Sequence, residues 1–422
     1  MKSKKKVFLG LTNIASQIQD WQQGFEANGF DTFTAIHEVH ASFVTKENIQ
    51  YDISSLKNNY EKWYDKVRPY KLRFLLQYLA GEKYKLDPVK YVYKKAIEEC
   101  DTFVFIWSSF YPDFQDYRLL KQMGKKIITI FVGSDVRWYQ SMKQDFAHYN
   151  VPPIEYAKTI TFDENYLNQR LLYMRTAEKY ADIIVSNPTQ SQLALRPYHK
   201  GFVMMNPEIF PHKPTQRHEK PLLMHAPSNS DQKGTKYILE TIDKLRDEGF
   251  DFDFKLIQNL PYMEAIKEYA RADIFIGQLL IPQAGKQDRE ALACGKVVLT
   301  SINYDYANEE EDCPFIDINP QNIYQELKSV LNDYPRRCKL AAQGRKYIEK
   351  HHTPANIVKD IVKMLEVNEE ERSYIFKPTF FRNDFSPERE YLDLYNQWTR
   401  YVKDCNWYKK HVPSGEHNRL IF

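Results

Sequence analysis

The stretch DIFIGQLLIPQAGKQDREALACGKVVLTS, Asp273 to Ser301, sets two short apolar runs, DIFIG and VVLTS, on either side of a helix-like segment. Strand, helix and strand in this order predict parallel strands whose two faces are covered by helices. Ala291, Leu292, Ala293 and Cys294 are small or apolar and let the helix lie close to the sheet, yet Glu290 stands at its head. A carboxylate there has two readings. It balances the helix dipole, worth about 0.3 to 1 kcal/mol, or it projects at the strand ends and accepts hydrogen bonds from the two hydroxyls of a ribose.

The same alternation runs outward in both directions. VFLGLT (7 to 12), TFVFIW (102 to 107), KIITIFV (126 to 132), DIIVS (182 to 186), FVMM (202 to 205), LLMH (222 to 225) and FDFKLI (252 to 257) read as further strands between helical segments. A chain of 422 residues exceeds one ordinary core and fits two domains. MNPEIFPHKPTQRHEKP, 205 to 221, carries four prolines and few apolar anchors, so the linker is expected near 207 to 220. The fold class is therefore α/β, with two doubly wound Rossmann-like domains facing across a cleft. The first spans 1 to 206 and the second 207 to 365. Residues 366 to 422 form a helical extension expected to cross back to the first domain.

Composition narrows the partners. A net charge of +3 gives no overall basic field, so no nucleic-acid partner is expected. Five cysteines are scattered without a C-x-x-C pair, which argues against a zinc site or a disulfide framework and suits the reducing cytoplasm. The apolar run after MKSKKK is short for a secretion signal, and no run approaches the roughly 18 apolar residues of a membrane span. KNNYEKWYDKVRPYKLR, 57 to 73, holds six basic residues against two acids beside Tyr60, Trp63 and Tyr64. That mixture suits either a solvated helix packed by its aromatic side or peripheral contact with the inner face of an anionic membrane.

Doubly wound sheets bind ligands at the carboxyl ends of their strands. After LLMH, the loop APSNSDQKG supplies Ser228, Asn229, Lys233 and Gly234 before a helix with Ile238, Thr241, Ile242 and Leu245 on one stripe. The loop is either an ordinary polar connection or an anion site, Lys233 bringing charge and Gly234 close backbone approach. After FDFKLI, the turn around Gln258 and Asn259 leads into a helix begun by Pro261; it is a good cap or a seat for a flat base. After DIFIG come Gln278, Gly285, Lys286 and Gln287, ahead of Glu290.

Taken together and in order, these features resemble the GT-B glycosyltransferases of the large retaining nucleotide-sugar family, often called group 1 or family 4-like. The resemblance covers nearly all of residues 5 to 365. It is carried by HAPSNSDQKGTKYILE, ARADIFIGQLLIPQAGKQDREALACGKVV and GKKIITIFVGSDVR. It implies a metal-independent, hexosyltransferase-type enzyme with no cofactor, whose co-substrate is a nucleotide-diphosphate sugar and whose acceptor is a carbohydrate or lipid-linked hydroxyl. The resemblance assigns the diphosphate to Lys233 and Gly234, the ribose to Glu290, and backbone donation to the turn at Gly285.

Three positions depart from the family pattern. Pro282 stands where an acid usually contacts the transferred sugar, Ser228 where a basic residue is common, and Val132 where a His precedes Gly133, Ser134 and Asp135. Lys286 is a substitute for the phosphate charge, and Gln278 or Gln283 for sugar contacts. The alternatives are a catalytically silent nucleotide-sugar or glycan binder, and an epimerase or hydrolase on the same fold. The acceptor is expected on the first domain, at Thr12 and Asn13, Ser108 and Ser109, and Gly133, Ser134 and Arg137. Lys233 and Asp135 are the expected catalytic pair.

Overall fold

The computed structural model describes residues 5–14, 16–37, 49–67, 87–138, 163–201, 203–215, 220–302, 309–368, 372 and 389–412. Its first half alternates β1 (Lys6–Leu11), α1 (Gln17–Ala27), β2 (Asp31–Ile36), β3 (Tyr51–Asp52), α2 (Ile53–Val67), α3 (Pro88–Glu99), β4 (Thr102–Ile106), α4 (Gln115–Gln122), β5 (Lys126–Ile130), α5 (Glu164–Tyr180), β6 (Ile183–Ser186) and β7 (His199–Lys200). These strands form one seven-stranded sheet in the order β3-β2-β1-β4-β5-β6-β7, every pair parallel.

The second half runs β8 (Leu222–His225), α6 (Ser230–Lys233), α7 (Thr235–Asp247), β9 (Asp253–Leu256), α8 (Tyr262–Tyr269), β10 (Ile274–Ile276), α9 (Lys286–Ala293), β11 (Val297–Thr300), β12 (Ile316–Asp317), α10 (Ile323–Asn332) and α11 (Tyr334–His351). Its five strands order as β12-β11-β10-β8-β9 and are again parallel throughout.

Burial explains both halves. Val104, Ile106, Ile128 and Ile130 of β4 and β5 face one core, while Phe103, Phe105 and Ile127 face another, so each strand is apolar on both sides. The stripe on α7 packs as its spacing requires, with Ile238, Thr241, Ile242 and Leu245 buried. The strands differ from the sequence reading at β2, at the two-residue β3, β7 and β12, and at FVMM. DTFTAI, 31 to 36, is a strand whose threonines interrupt the apolar run, although all but Asp31 are buried. FVMM contributes no strand among its described residues, because Val185 and Ser186 pair instead with His199 and Lys200.

The chain returns to the first domain earlier than 366. α12 (Pro354–Glu366) inserts Ile357, Val358 and Ile361 into the cluster that holds Val7, Leu9, Ile18, Trp21 and Phe25. Gly24 of α1 makes this close approach feasible: a Cβ there would lie 2.4 Å from Val358 Cγ2. α13 (Leu392–Val402) and α14 (Asn406–His411) follow onto the first domain. Trp398 donates to Asn168 Oδ1 at 2.7 Å, Lys179 donates to the Tyr401 carbonyl at 2.8 Å, and Tyr395, Trp407 and Tyr408 join that domain's core. No helix of the described residues is long and apolar enough to cross a membrane. Side chains at Tyr60 and 62–73, the heart of the basic aromatic segment, lie outside the described residues.

Candidate functional site

Each sheet reverses its winding once. In the second sheet the reversal falls between β8 and β10, which are hydrogen-bonded neighbours with β9 outside one and β11 outside the other. The loops leaving β8 and β10 diverge there and open a crevice. Lys233, at the end of the β8 loop, reaches across it and donates to Gln278 Oε1 of the β10 loop at 2.7 Å. Gln278 in turn donates to the carbonyls of Ile281 and Gln283, holding the loop that carries Pro282.

The crevice is a cavity of about 510 Å³, lined by Ser228, Lys233, Gln258, Asn259, Lys286, Gln287 and Glu290 among the residues expected from sequence. Ser16 of the first domain also lines it, so the site lies between the domains. Gln278 and Gly285 stand directly behind the wall, a Cβ at Gly285 falling 3.7 Å from Lys233 Nζ. Asn229 is exposed, and its carbonyl accepts from Lys233 N–H at 3.1 Å. Gly234 has a steric reason of its own. Its φ of +70° is left-handed, and a Cβ would meet Leu279 Cβ at 3.1 Å; its N–H already donates to the Asp231 carbonyl.

Electrostatics concentrate around α9. Asp288, fully buried, accepts from Gly285 N–H at 2.6 Å and Thr300 Oγ1 at 3.0 Å. Burial raises its pKa, opposed first by the Lys233 ammonium. Lys233 is pushed below the usual lysine range by burial, and the Asp288 charge works against that shift. Glu290 is 2% exposed and accepts from the Tyr262 hydroxyl at 2.8 Å. Its pKa is raised by burial and held back by Lys286 and by the Tyr262 hydrogen bond. Tyr262 keeps 38% of its surface exposed beside Tyr269 and Ile257, an aromatic and aliphatic wall for a flat group. Beneath the site, His225 bridges the Ile276 carbonyl and Thr235 Oγ1, and burial lowers its pKa to about 4, so it is neutral.

The first-domain candidates are nearby in topology but engaged in hydrogen bonds within their own domain. Thr12 Oγ1 and Ser108 Oγ are 2.8 Å apart, joining the loops after β1 and β4 at that sheet's own reversal. Asn13 Oδ1 accepts from Ile18 N–H and so caps α1. Ser109 donates to buried Asp116 at 2.8 Å. Asp135 accepts from the N–H groups of Val132 and Gly133 and closes a tight turn, with its pKa raised to about 6 by burial. The Ser134 carbonyl accepts from Arg170, and Arg137 Nε donates to the Thr189 carbonyl. None of these residues lines the cavity, so the structure brings the donor-side candidates together and leaves Asp135 in a turn-closing role.

Sequence reasoning missed Ser16, Tyr262 and Tyr269 on the cavity wall, Asp288 behind it, and Asp20 of α1, which pairs with Lys286 at 2.8 Å. Among the described residues no group of three or more His, Cys, Asp and Glu side chains is placed to hold a metal. Asp251-Phe252-Asp253 has the Asp-x-Asp form, but it stands at the amino end of β9, where Lys220 pairs with both acids at 3.4 and 3.1 Å.

No protein-family model and no curated protein matches the sequence. Solved structures do. Sucrose-phosphate synthase from Thermosynechococcus elongatus superposes with a TM-score of 0.53 at 11% identity, covering 86% of this chain and 99% of its own. An alpha-glucosyltransferase in complex with UDP-glucose and DNA containing an abasic site gives 0.52 at 10% identity, covering 86% of this chain and all of its own (100%). Trehalose-6-phosphate synthase OtsA gives 0.51 at 11%, covering 86% and 99%. Two parallel Rossmann-like sheets facing across a cleft, matched over the whole length of these structures, give the chain the GT-B fold.

Proposed function

We propose that the protein is a glycosyltransferase that moves a sugar from a nucleotide-diphosphate donor to a carbohydrate, lipid-linked or other hydroxyl acceptor. The observation that carries this reading is the meeting of Lys233, Lys286 and Glu290 with an aromatic wall in one interdomain cavity. A nucleoside diphosphate needs those three chemistries: cations for the phosphates, a carboxylate for the ribose diol and a flat apolar wall for the base.

In the transfer, the bond from the anomeric carbon to the diphosphate oxygen breaks and its electron pair leaves with the diphosphate. The acceptor oxygen forms the new bond, and its proton passes to the departing diphosphate oxygen. Charge grows on the leaving group, so Lys233, held in place by Gln278, and the first turn of α9 stabilise the transition state more than the bound donor. Retention at the anomeric carbon and independence of metal are carried by the sequence resemblance. Incubating the protein with a panel of nucleotide-sugars, with and without glycan acceptors, and measuring nucleoside diphosphate release tests the reading. Acceptor-dependent release that Lys233→Ala slows at least a hundredfold supports it, and release at equal rates in both proteins refutes it.

A second reading has specific support. The acid that the resemblance leads one to expect is Pro282, which is buried, and Ser228 offers no charge. A silent nucleotide-sugar binder would bind a nucleoside diphosphate as the enzyme does yet release none from any donor in the same assay.

A further inference from the structure

Lys286, the second lysine of the cavity, is engaged across the cleft. Its Nζ lies 2.8 Å from Oδ2 of Asp20, which belongs to α1 of the facing domain. The two side chains are 15% and 14% exposed, so the pair is largely withdrawn from water. Burial drives the Asp20 carboxyl toward its protonated form, and the Lys286 charge opposes this. The same ammonium also steadies the charge of Glu290, while Asp20 repels it. One cation therefore serves two carboxylates, one from each domain, at the wall of the candidate donor site.

A diphosphate entering that cavity is a third anion competing for the ammonium. Phosphate and Asp20 repel each other, and screening by salt is weak in a half-buried site. A second bridge also crosses the cleft. The Thr189 hydroxyl donates to Gln283 Oε1, and the Gln283 carbonyl accepts from Gln278, which holds Lys233. Loss of the Asp20 contact therefore leaves the domains joined beside the other lysine.

We propose that Asp20 is a placeholder for a phosphate oxygen: it neutralises Lys286 in the ligand-free protein and is displaced when a diphosphate binds, so the first domain responds to occupancy of the donor site. The proposal rests on the nucleotide-sugar reading and adds to it a first-domain residue and a competition.

Calorimetric titration with inorganic pyrophosphate, UDP, GDP and ADP at low salt provides the test, using the full chain as wild type, Asp20→Asn, Lys286→Gln and the double variant. The expected result is binding about threefold to tenfold tighter in Asp20→Asn, the range of one ion-pair contact, weaker binding in Lys286→Gln, and loss of the Asp20→Asn gain when Lys286 is also replaced. A residue that merely braces the fold would instead weaken binding and lower the melting temperature. Unchanged or weaker binding in Asp20→Asn overturns the proposal, as does a gain of the same size without Lys286. If the folded wild type binds none of the four probes, the nucleotide-sugar reading falls too. Wild-type binding that Lys233→Ala abolishes and Asp20→Asn leaves alone removes only the placeholder.

Discussion

A methyl group at Gly277 would sit 2.2 Å from Asp288 Oδ1 and 2.7 Å from Thr300 Oγ1. The bare backbone at the end of β10 thus lets the Asp288 carboxylate reach Gly285 N–H and shape the start of α9. Gly277→Ala should lower stability by about 1 to 3 kcal/mol through overpacking, read from urea melts, and should weaken nucleoside diphosphate binding because the α9 start shifts. Glu290→Ala tests a single contact on the proposed site. Each hydrogen bond lost to a charged group is worth about 1.5 to 3 kcal/mol, so calorimetry should show at least a tenfold weaker diphosphate complex; equal affinity in the two proteins would remove the ribose assignment. Glu290 was legible in the sequence because small residues follow it directly. Tyr262, its partner 28 residues earlier, and Asp20, 266 residues from Lys286, were not, since no local pattern reports which distant side chains a fold brings to one wall.

At the scale of elements, local propensity and packing give opposite forecasts at Gly24. Alanine in a helix interior gains up to about 1 kcal/mol over glycine. A Cβ at this position, however, would lie 2.4 Å from Val358 Cγ2 and 2.7 Å from the Pro354 carbonyl of α12. Gly24→Ala should therefore lower the melting temperature, and a rise would show that α1 and α12 do not pack this closely. The loop between β4 and α4 offers a pH test. Asp116 accepts from Ser109 Oγ and Phe110 N–H, and burial raises its pKa from 3.8 to about 6. The folded chain then keeps a proton that the unfolded chain has released, so this group's contribution to stability falls as pH rises from 4 to 6. Wild type measured against Asp116→Asn in urea should lose relative stability across that window and level off above it; a flat difference would place the Asp116 pKa near its ordinary value. Continuous apolar strands such as LLMH were readable to the residue. DTFTAI was not, because its threonines mask a segment buried on both faces, and β7, His199–Lys200, has no apolar signal at all.

For the whole molecule, the path of the chain ties the two halves together. Ile357, Val358 and Ile361 of α12 lie within the cluster beneath β1 and α1, and Tyr395 and Trp407 lie within the core on the other face of the same sheet. Large buried side chains contribute about 1.5 to 3 kcal/mol each, so these five together rival the roughly 5 to 15 kcal/mol that holds an ordinary domain folded. Sequence alone puts the return to the first domain after 365, because 354 to 366 continues the helical pattern of the second domain, and periodicity reports which face is apolar but not which neighbour covers it. A chain truncated after Thr353 should accordingly keep every residue of both sheets and still fail to fold its first domain, eluting as aggregates on gel filtration and binding a hydrophobic dye. A truncated chain that is monomeric and melts cooperatively would show that the first domain closes its core without α12, α13 and α14, and that Gly24 owes nothing to the packing of α12 on α1.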